Sequence, residues 1–108
     1  MTLSPDTQVV IDRLFAPGER DAVRRLLEEE CGNNLVQPAV LDPVALERYR
    51  FAALRISGGD LGKLGKAIAL AKLDWRDLLM EADFGHDANA HRIWFERGAD
   101  PGPVRHRT

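Results

Sequence analysis

The chain has 108 residues, of which 44% are apolar and 30% are charged. This length suits one folded domain, and the apolar fraction is too high for a disordered chain. The net charge of −2 argues against a protein devoted to a polyanion, since such domains carry a marked excess of Lys and Arg. The charge is unevenly distributed, because residues 43–73 contain two acidic and six basic groups, a local charge of +4.

The single cysteine and the hydropathy pattern bear on where the protein resides. Cys31 is the only cysteine, so no internal disulfide can form. No segment is long and apolar enough for a membrane span or a signal-peptide core. These features predict a cytoplasmic protein that does not use a membrane. Cys31 ends a predicted helix, where the helix dipole disfavours a thiolate, so we interpret it as a structural thiol.

The first third of the chain predicts two helices. The first runs from about Pro5 to Phe15, with Ser4 as its N-cap and a proline at its first position, although Val9 to Ile11 could instead begin a strand. The second spans about Glu19 to Cys31. The residues expected to be buried by this helix are Ala22, Val23, Leu26 and Leu27. Residues 32–43 contain two prolines and are interpreted as a connecting loop.

The third predicted helix, Val44 to about Ser57, carries apolar residues on two sides, which is typical of a helix at the centre of a domain. One stripe consists of Leu46, Tyr49, Ala53 and Ile56, and the other side carries Phe51 and Leu54. A fourth helix, Leu61 to Leu73, follows a turn that contains two glycines. Gly62 and Gly65 each cost about 1 kcal/mol of helix propensity relative to Ala, which predicts close approach of a neighbouring helix as compensation.

Two shorter helices complete the predicted elements. Asp74 can cap a fifth helix, whose inner face consists of Trp75, Leu78, Leu79 and Ala82. A sixth helix, about Ala88 to Arg97, begins after Asp87 and offers Ile93, Trp94 and Phe95 for packing. We therefore predict one helical domain over residues 1–97 and a flexible tail over residues 98–108.

The predicted fold class is all-α. Five to six short helices joined by tight turns fit either a compact bundle or a short α-α superhelix of stacked helical hairpins. The sequence shows no clear internal repeat with a period of about 40 residues, which would have favoured the superhelix. Both architectures stay open at this point.

Four segments resemble a group of small bacterial proteins of unknown function. They are LLEEECGNNL at 26–35, FAALRISGGDL at 51–61, AIALAKLDWRDLL at 67–79 and AHRIW at 90–94. The resemblance covers most of the chain. It implies an all-helical domain similar to the armadillo and HEAT superhelices, and it implies no reaction, ligand or functional residue.

The chain shows no pattern typical of an active site. Its two serines, Ser4 and Ser57, occupy cap positions rather than a triad. His86 and His91 are five residues apart across a helix start, which does not place both rings on one face for a metal. We therefore expect a protein that is not an enzyme, with no catalytic residue, metal or cofactor.

The helical pair at residues 61–83 could be a DNA-binding helix-turn-helix, whose second helix enters the major groove. In this chain that helix carries a single Arg76 surrounded by acidic groups, which are Asp74, Asp77, Glu81 and Asp83. Because these carboxylates would repel phosphates, nucleic acid is not the expected partner.

Two function hypotheses remain. The first is a non-catalytic helical module that binds a protein or self-associates through Phe51, Leu70 and Met80, which point away from the main stripes of their helices. The alternative is nucleic-acid or polyanion binding through the basic central helices. The cations proposed for that patch are Arg48, Arg55, Lys63 and Lys66.

Overall fold

A computed structural model describes residues 3–32 and 42–99. These residues form helices and turns without any strand, which confirms the predicted all-α class. The elements in chain order are α1 (Pro5–Leu14), a 3₁₀ turn (Pro17–Glu19), α2 (Arg20–Glu30), α3 (Pro43–Ser57), α4 (Leu61–Leu73), α5 (Trp75–Glu81) and α6 (Ala90–Glu96).

The N-terminal segment is helical, so the strand considered for Val9 to Ile11 does not form. The Ser4 hydroxyl accepts a hydrogen bond from the Thr7 amide at 3.1 Å, which satisfies one of the free amides at the start of α1. Val10 and Ile11 are buried on the inner face, as helical spacing predicts.

Helix α2 buries fewer residues than its sequence predicts. Val23 and Leu27 are buried and Leu26 is half-buried, whereas Ala22 is exposed. The predicted loop after α2 lies largely outside the described residues, because the structure describes nothing between Gly32 and Asp42.

Helix α3 is the central element, as its two apolar sides predict. It contacts α1, α4, α5 and α6, and its residues from Tyr49 to Leu54 are all buried. Gly58 ends the helix in the left-handed conformation at φ 56°. Gly59 follows at φ 88° against the backbone of Leu14, so a side chain at this position would collide with the end of α1.

Helices α4 and α5 meet at a turn of one residue, Asp74, whose carboxylate accepts from the Arg76 amide at 3.1 Å. The expected close approach at the two α4 glycines is not seen in the described part of the chain. A Cβ on Gly65 would have no neighbour within 4 Å, and one on Gly62 would contact only the Asp60 carboxylate. The glycines lie away from the core because the buried stripe of α4 passes through Leu64 and Ile68 instead.

The last helix begins later than predicted, at Ala90, because the Asp87 carboxylate turns the chain by accepting from the Asn89 amide at 2.8 Å. Ile93 was expected to pack, but it is 42% exposed, while Trp94 is buried. The packed chain extends past residue 97, since Ala99 is buried. The rest of the predicted tail, residues 100–108, lies outside the described residues.

The helices pack as a compact bundle. The radius of gyration is 12.2 Å, and the molecule measures 32 × 28 × 25 Å. About 13 Å is typical of a compact domain of 100 residues, whereas an open superhelix would be longer in one direction. None of the described helices has the length and apolar character needed to cross a bilayer.

Candidate interaction surface

Phe51, the first residue predicted to contact a partner, is completely buried. Its ring lies 5.6 Å from the Phe95 ring, 5.7 Å from the His91 ring and 5.8 Å from the Trp94 ring, measured between centroids. The side of α3 that carries Phe51 is covered by α6 of the same chain. The prediction for Phe51 is therefore wrong, because this residue anchors the core and offers no surface to a partner.

The other two predicted contact residues differ in exposure. Leu70 is half-buried against the core, and Met80 is 58% exposed. Met80 lies one helical turn after the exposed Arg76 on the outer side of α5, and its side chain passes close to Gly85. Met80 is thus the member of the predicted set that the structure leaves on the surface.

Leu73 is the most exposed large apolar residue in the described part of the chain, at 85%. It ends α4, immediately before the Asp74 turn, and Lys66 and Ala69 share its outward face. Sequence reasoning missed Leu73 as a surface residue. Helical spacing could have identified it, because steps of 100° per residue place Leu73 opposite the buried stripe of Leu64 and Ala71.

The four cations predicted to form a polyanion patch divide into two pairs. Arg48 donates to the carbonyl oxygen of Phe84 at 2.6 Å, and the Arg55 guanidinium lies 5.3 Å from the centre of the Phe84 ring. Both arginines therefore fasten α3 to the segment before α6. Lys63 and Lys66 are exposed on α4. The structure thus gives half of the proposed patch an internal role.

Charge is segregated between the two helices that carry the exposed apolar residues. Helix α4 contains three lysines and no acidic residue. One of them, Lys72, forms an ion pair with Glu30 of α2, which leaves Lys63 and Lys66 on the outer face. Helix α5 carries acidic groups, with Arg76 as its single cation. We call the surface formed by Lys63, Lys66, Leu73, Asp77, Met80 and Glu81 the α4–α5 corner.

A second charged cluster joins α1, α3 and α6 and is internally satisfied. One nitrogen of Arg92 donates to the carboxylates of Asp6 and Glu47, each at 2.9 Å. The Ser4 hydroxyl donates to the other Glu47 oxygen at 2.7 Å. Because this cluster joins α1, α3 and α6, its role is to hold the bundle together.

A pocket of about 330 Å³ lies beside this cluster, and its described lining is mostly apolar. Its lining residues are Leu3, Ser4, Thr7, Pro43, Leu46, Glu47 and Arg50. The buried Arg50 guanidinium donates to the carbonyl oxygens of Cys31 at 3.0 Å and Leu27 at 3.4 Å, at the C-terminal end of α2. Arg50 thereby binds the negative end of the α2 dipole.

Cys31 and His91, a thiol and an imidazole, are buried in structural positions. Burial raises the pKa of the Cys31 thiol to about 11, and the nearby Arg50 and Lys72 only partly oppose this. Burial also lowers the pKa of His91, whose ring packs edge-on against Phe51 and Phe84. Within residues 3–32 and 42–99, no three His, Cys, Asp or Glu side chains lie close enough to hold a metal ion.

Comparison of the chain with protein-family models, with curated proteins and with solved structures gives no match. The resemblance to small bacterial helical proteins therefore stays a prediction.

Proposed function

We propose that this chain is a non-catalytic helical module that self-associates or binds a protein through the α4–α5 corner. The exposure of Leu73, at 85%, carries the proposal. Apolar surface contributes about 25 cal/mol per Å² when it leaves water, so covering Leu73 and Met80 would favour association. Both side chains lie on helices rather than on loops, and a partner would therefore meet a pre-organised surface.

The roles of the titratable groups also support a binding module. Asp60 and Asp74 cap helices, while Asp6 and Glu47 bind Arg92. Cys31 lies within the core and holds its proton far above neutral pH. These side chains stabilise the fold, whereas catalysis usually needs such groups to converge on an accessible cleft.

Polyanion binding is the weaker alternative, because Arg48 and Arg55 are already bound to the segment around Phe84. The remaining pair, Lys63 and Lys66, offers only two cations, which would contribute little against physiological salt.

Sedimentation equilibrium over a wide range of protein concentration tests the proposal. We expect reversible association of the wild-type chain, weakened in Leu73→Gln and in Met80→Gln. Val44→Gln is the matched control, since Val44 is 65% exposed at the start of α3, outside the corner. Its association should equal that of the wild type.

A protein partner is tested by immobilising the chain and identifying proteins that bind wild type and Val44→Gln but not Leu73→Gln. A strictly monomeric wild type that also retains no Leu73-dependent partner would overturn the proposal. Binding that all variants share would count against the corner as the binding surface.

A further inference from the structure

We propose that the partner of the α4–α5 corner is a second copy of this chain, with α4 of each copy lying against α5 of the other about a two-fold axis near Leu73. This inference rests on the proposed function and specifies its partner. Four observations support it, namely the charges of the two helices, their exposed apolar residues, the small residues of α4 and the short turn that joins the helices.

The charges of the two helices are complementary. The outer face of α4 presents Lys63 and Lys66, and α5 carries Asp77 and Glu81, both half-exposed. Among the described residues, neither Lys63 nor Lys66 has an ion pair within the chain. The third lysine of the helix, Lys72, binds Glu30. Opposite charges on facing surfaces favour the correct partner and orient it.

One chain therefore carries both halves of a complementary surface. A two-fold dimer uses the same patch on both subunits, so that each contact occurs twice. If α4 of one copy meets α5 of the other, the reverse pairing follows by symmetry.

Leu73 and Met80 provide the apolar part of this interface. Leu73 ends α4 at the turn, and Met80 lies on α5 six residues after the turn residue Asp74. A two-fold axis near the turn would bring the two copies of Leu73 together. Burying them removes from water the apolar side chain that folding leaves most exposed in the described chain.

The small residues of α4 allow a second helix to approach. Gly62 and Ala69 are exposed and Gly65 is half-buried, and a Cβ on Gly65 would meet no atom within 4 Å. Two glycines within a helix cost about 2 kcal/mol of propensity together, and packing within the described chain does not offset this cost. Close contact with a partner helix would offset it.

The expected dimer is weak and sensitive to salt. At 1.5 Å per residue, α4 is about 20 Å long and α5 about 10 Å long, which gives a contact smaller than the roughly 800 Å² per partner of a standard interface. Its charged contacts lie at the rim, where salt screens them.

Charge reversal tests this pairing with four proteins. Lys63→Glu/Lys66→Glu makes both helices acidic, and Asp77→Lys/Glu81→Lys makes both helices basic. Each double variant should dimerise at least about tenfold more weakly than the wild type at low salt, because like charges then face each other. An equimolar mixture of the two should form heterodimers, and a chain with all four substitutions should recover homodimerisation.

Arg25→Glu/Arg97→Glu is the matched control, since both arginines are exposed and lie outside α4 and α5, on α2 and directly after α6. It changes the net charge as much as the α4 variant does and should dimerise like the wild type. Far-ultraviolet circular dichroism and thermal melts establish that each variant is folded. Because Asp77 lies in the first turn of α5, Glu81→Lys alone serves if the double variant is unstable.

The outcomes separate the two proposals. A wild-type dimer that the charge variants leave unchanged, or a mixture that fails to recover dimers, overturns the α4–α5 pairing and leaves the proposed function standing. A monomeric wild type overturns the pairing as well, and then Leu73-dependent capture of another protein decides the proposed function. Weak variants with full recovery in the mixture support the pairing of α4 in one copy with α5 in the other.

Discussion

The two charged regions of this bundle use similar residues differently. In the α1–α3–α6 cluster, Arg92 lies between Asp6 and Glu47, so opposite charges from different helices neutralise each other within the fold. In the α4–α5 corner, the basic groups lie on α4 and the acidic groups on the neighbouring α5, and each helix carries an exposed apolar residue. A charge paired across helices stabilises the monomer, whereas Lys63 and Lys66 remain exposed on the outer face of α4.

The largest difference between the regions should appear on truncation of a large side chain. Phe51→Ala should lower the free energy of unfolding by about 3–5 kcal/mol, because it opens a cavity among the three rings of His91, Trp94 and Phe95. Met80→Ala should change stability by less than about 0.5 kcal/mol, as is usual for an exposed position. Urea denaturation measures both values, and equal losses would show that the corner is part of the core.

Removal of the shared cation should have an intermediate effect. Arg92→Ala leaves Asp6 and Glu47 without their common partner, and the two carboxylates then repel each other. We expect a loss of about 1 kcal/mol, since the pair is partly exposed. The loss should shrink in high salt. Lys66→Ala, on the open face of α4, is the comparison and should leave monomer stability nearly unchanged.

Acid should lower the stability of the folded chain through His91. Burial lowers the pKa of its imidazole in the folded state, opposed by Glu47 and reinforced by Arg92 and Arg48. The unfolded chain therefore binds the proton more readily, so stability present above pH about 6.5 is lost as the pH falls towards the lowered value. Urea midpoints against pH should show this fall.

The His91→Gln variant tests the assignment, because it has no imidazole to titrate at this position. Its stability should vary less with pH over the same range. His86→Gln is the control, since it removes an exposed imidazole and leaves His91 in place, so that the fall in stability caused by His91 should persist. A slope that survives in His91→Gln would place the titrating group elsewhere.

The helical periodicity of the sequence was sufficient to predict the fold class and most helix positions. Ser4 and Asp74 mark helix starts by their own local hydrogen bonds, and α3 shows its central position through apolar residues on both sides. These features depend on neighbours within one or two turns, which is why one sequence reveals them.

Residues whose role depends on distant partners were harder to place. Phe84 lies in a turn without helical spacing, yet it is fully buried between Arg55 and the ring of Trp94. Arg50 was counted with the basic middle of the chain, but it caps α2 from within the core. Phe51 pointed away from the main stripe of α3 and was interpreted as a surface residue, because the position of α6 is a tertiary property.

The sequence predicted only part of the candidate surface. Met80 was identified correctly as an outward-pointing apolar residue, and Leu73 was overlooked although its spacing is equally clear. The split of the four proposed cations could not be read from the chain, since Arg48 and Arg55 take part in contacts with the distant Phe84.

Two glycines should respond in opposite ways to alanine, because their surroundings differ. Gly65 lies within α4 with open space around it, so Gly65→Ala should stabilise the monomer by about 0.5–1 kcal/mol through higher helix propensity. Gly59 has φ 88° and touches the backbone of Leu14, so Gly59→Ala should destabilise it. Thermal melts at low protein concentration measure both.

The same Gly65→Ala variant also separates folding from association. If a second copy packs against α4, the added methyl should raise monomer stability and weaken dimerisation in sedimentation experiments. A variant that gains stability and dimerises as well as the wild type would mean that no helix approaches closely at this position. Opposite effects on the two equilibria would instead show that the glycine lies at the interface with the second copy.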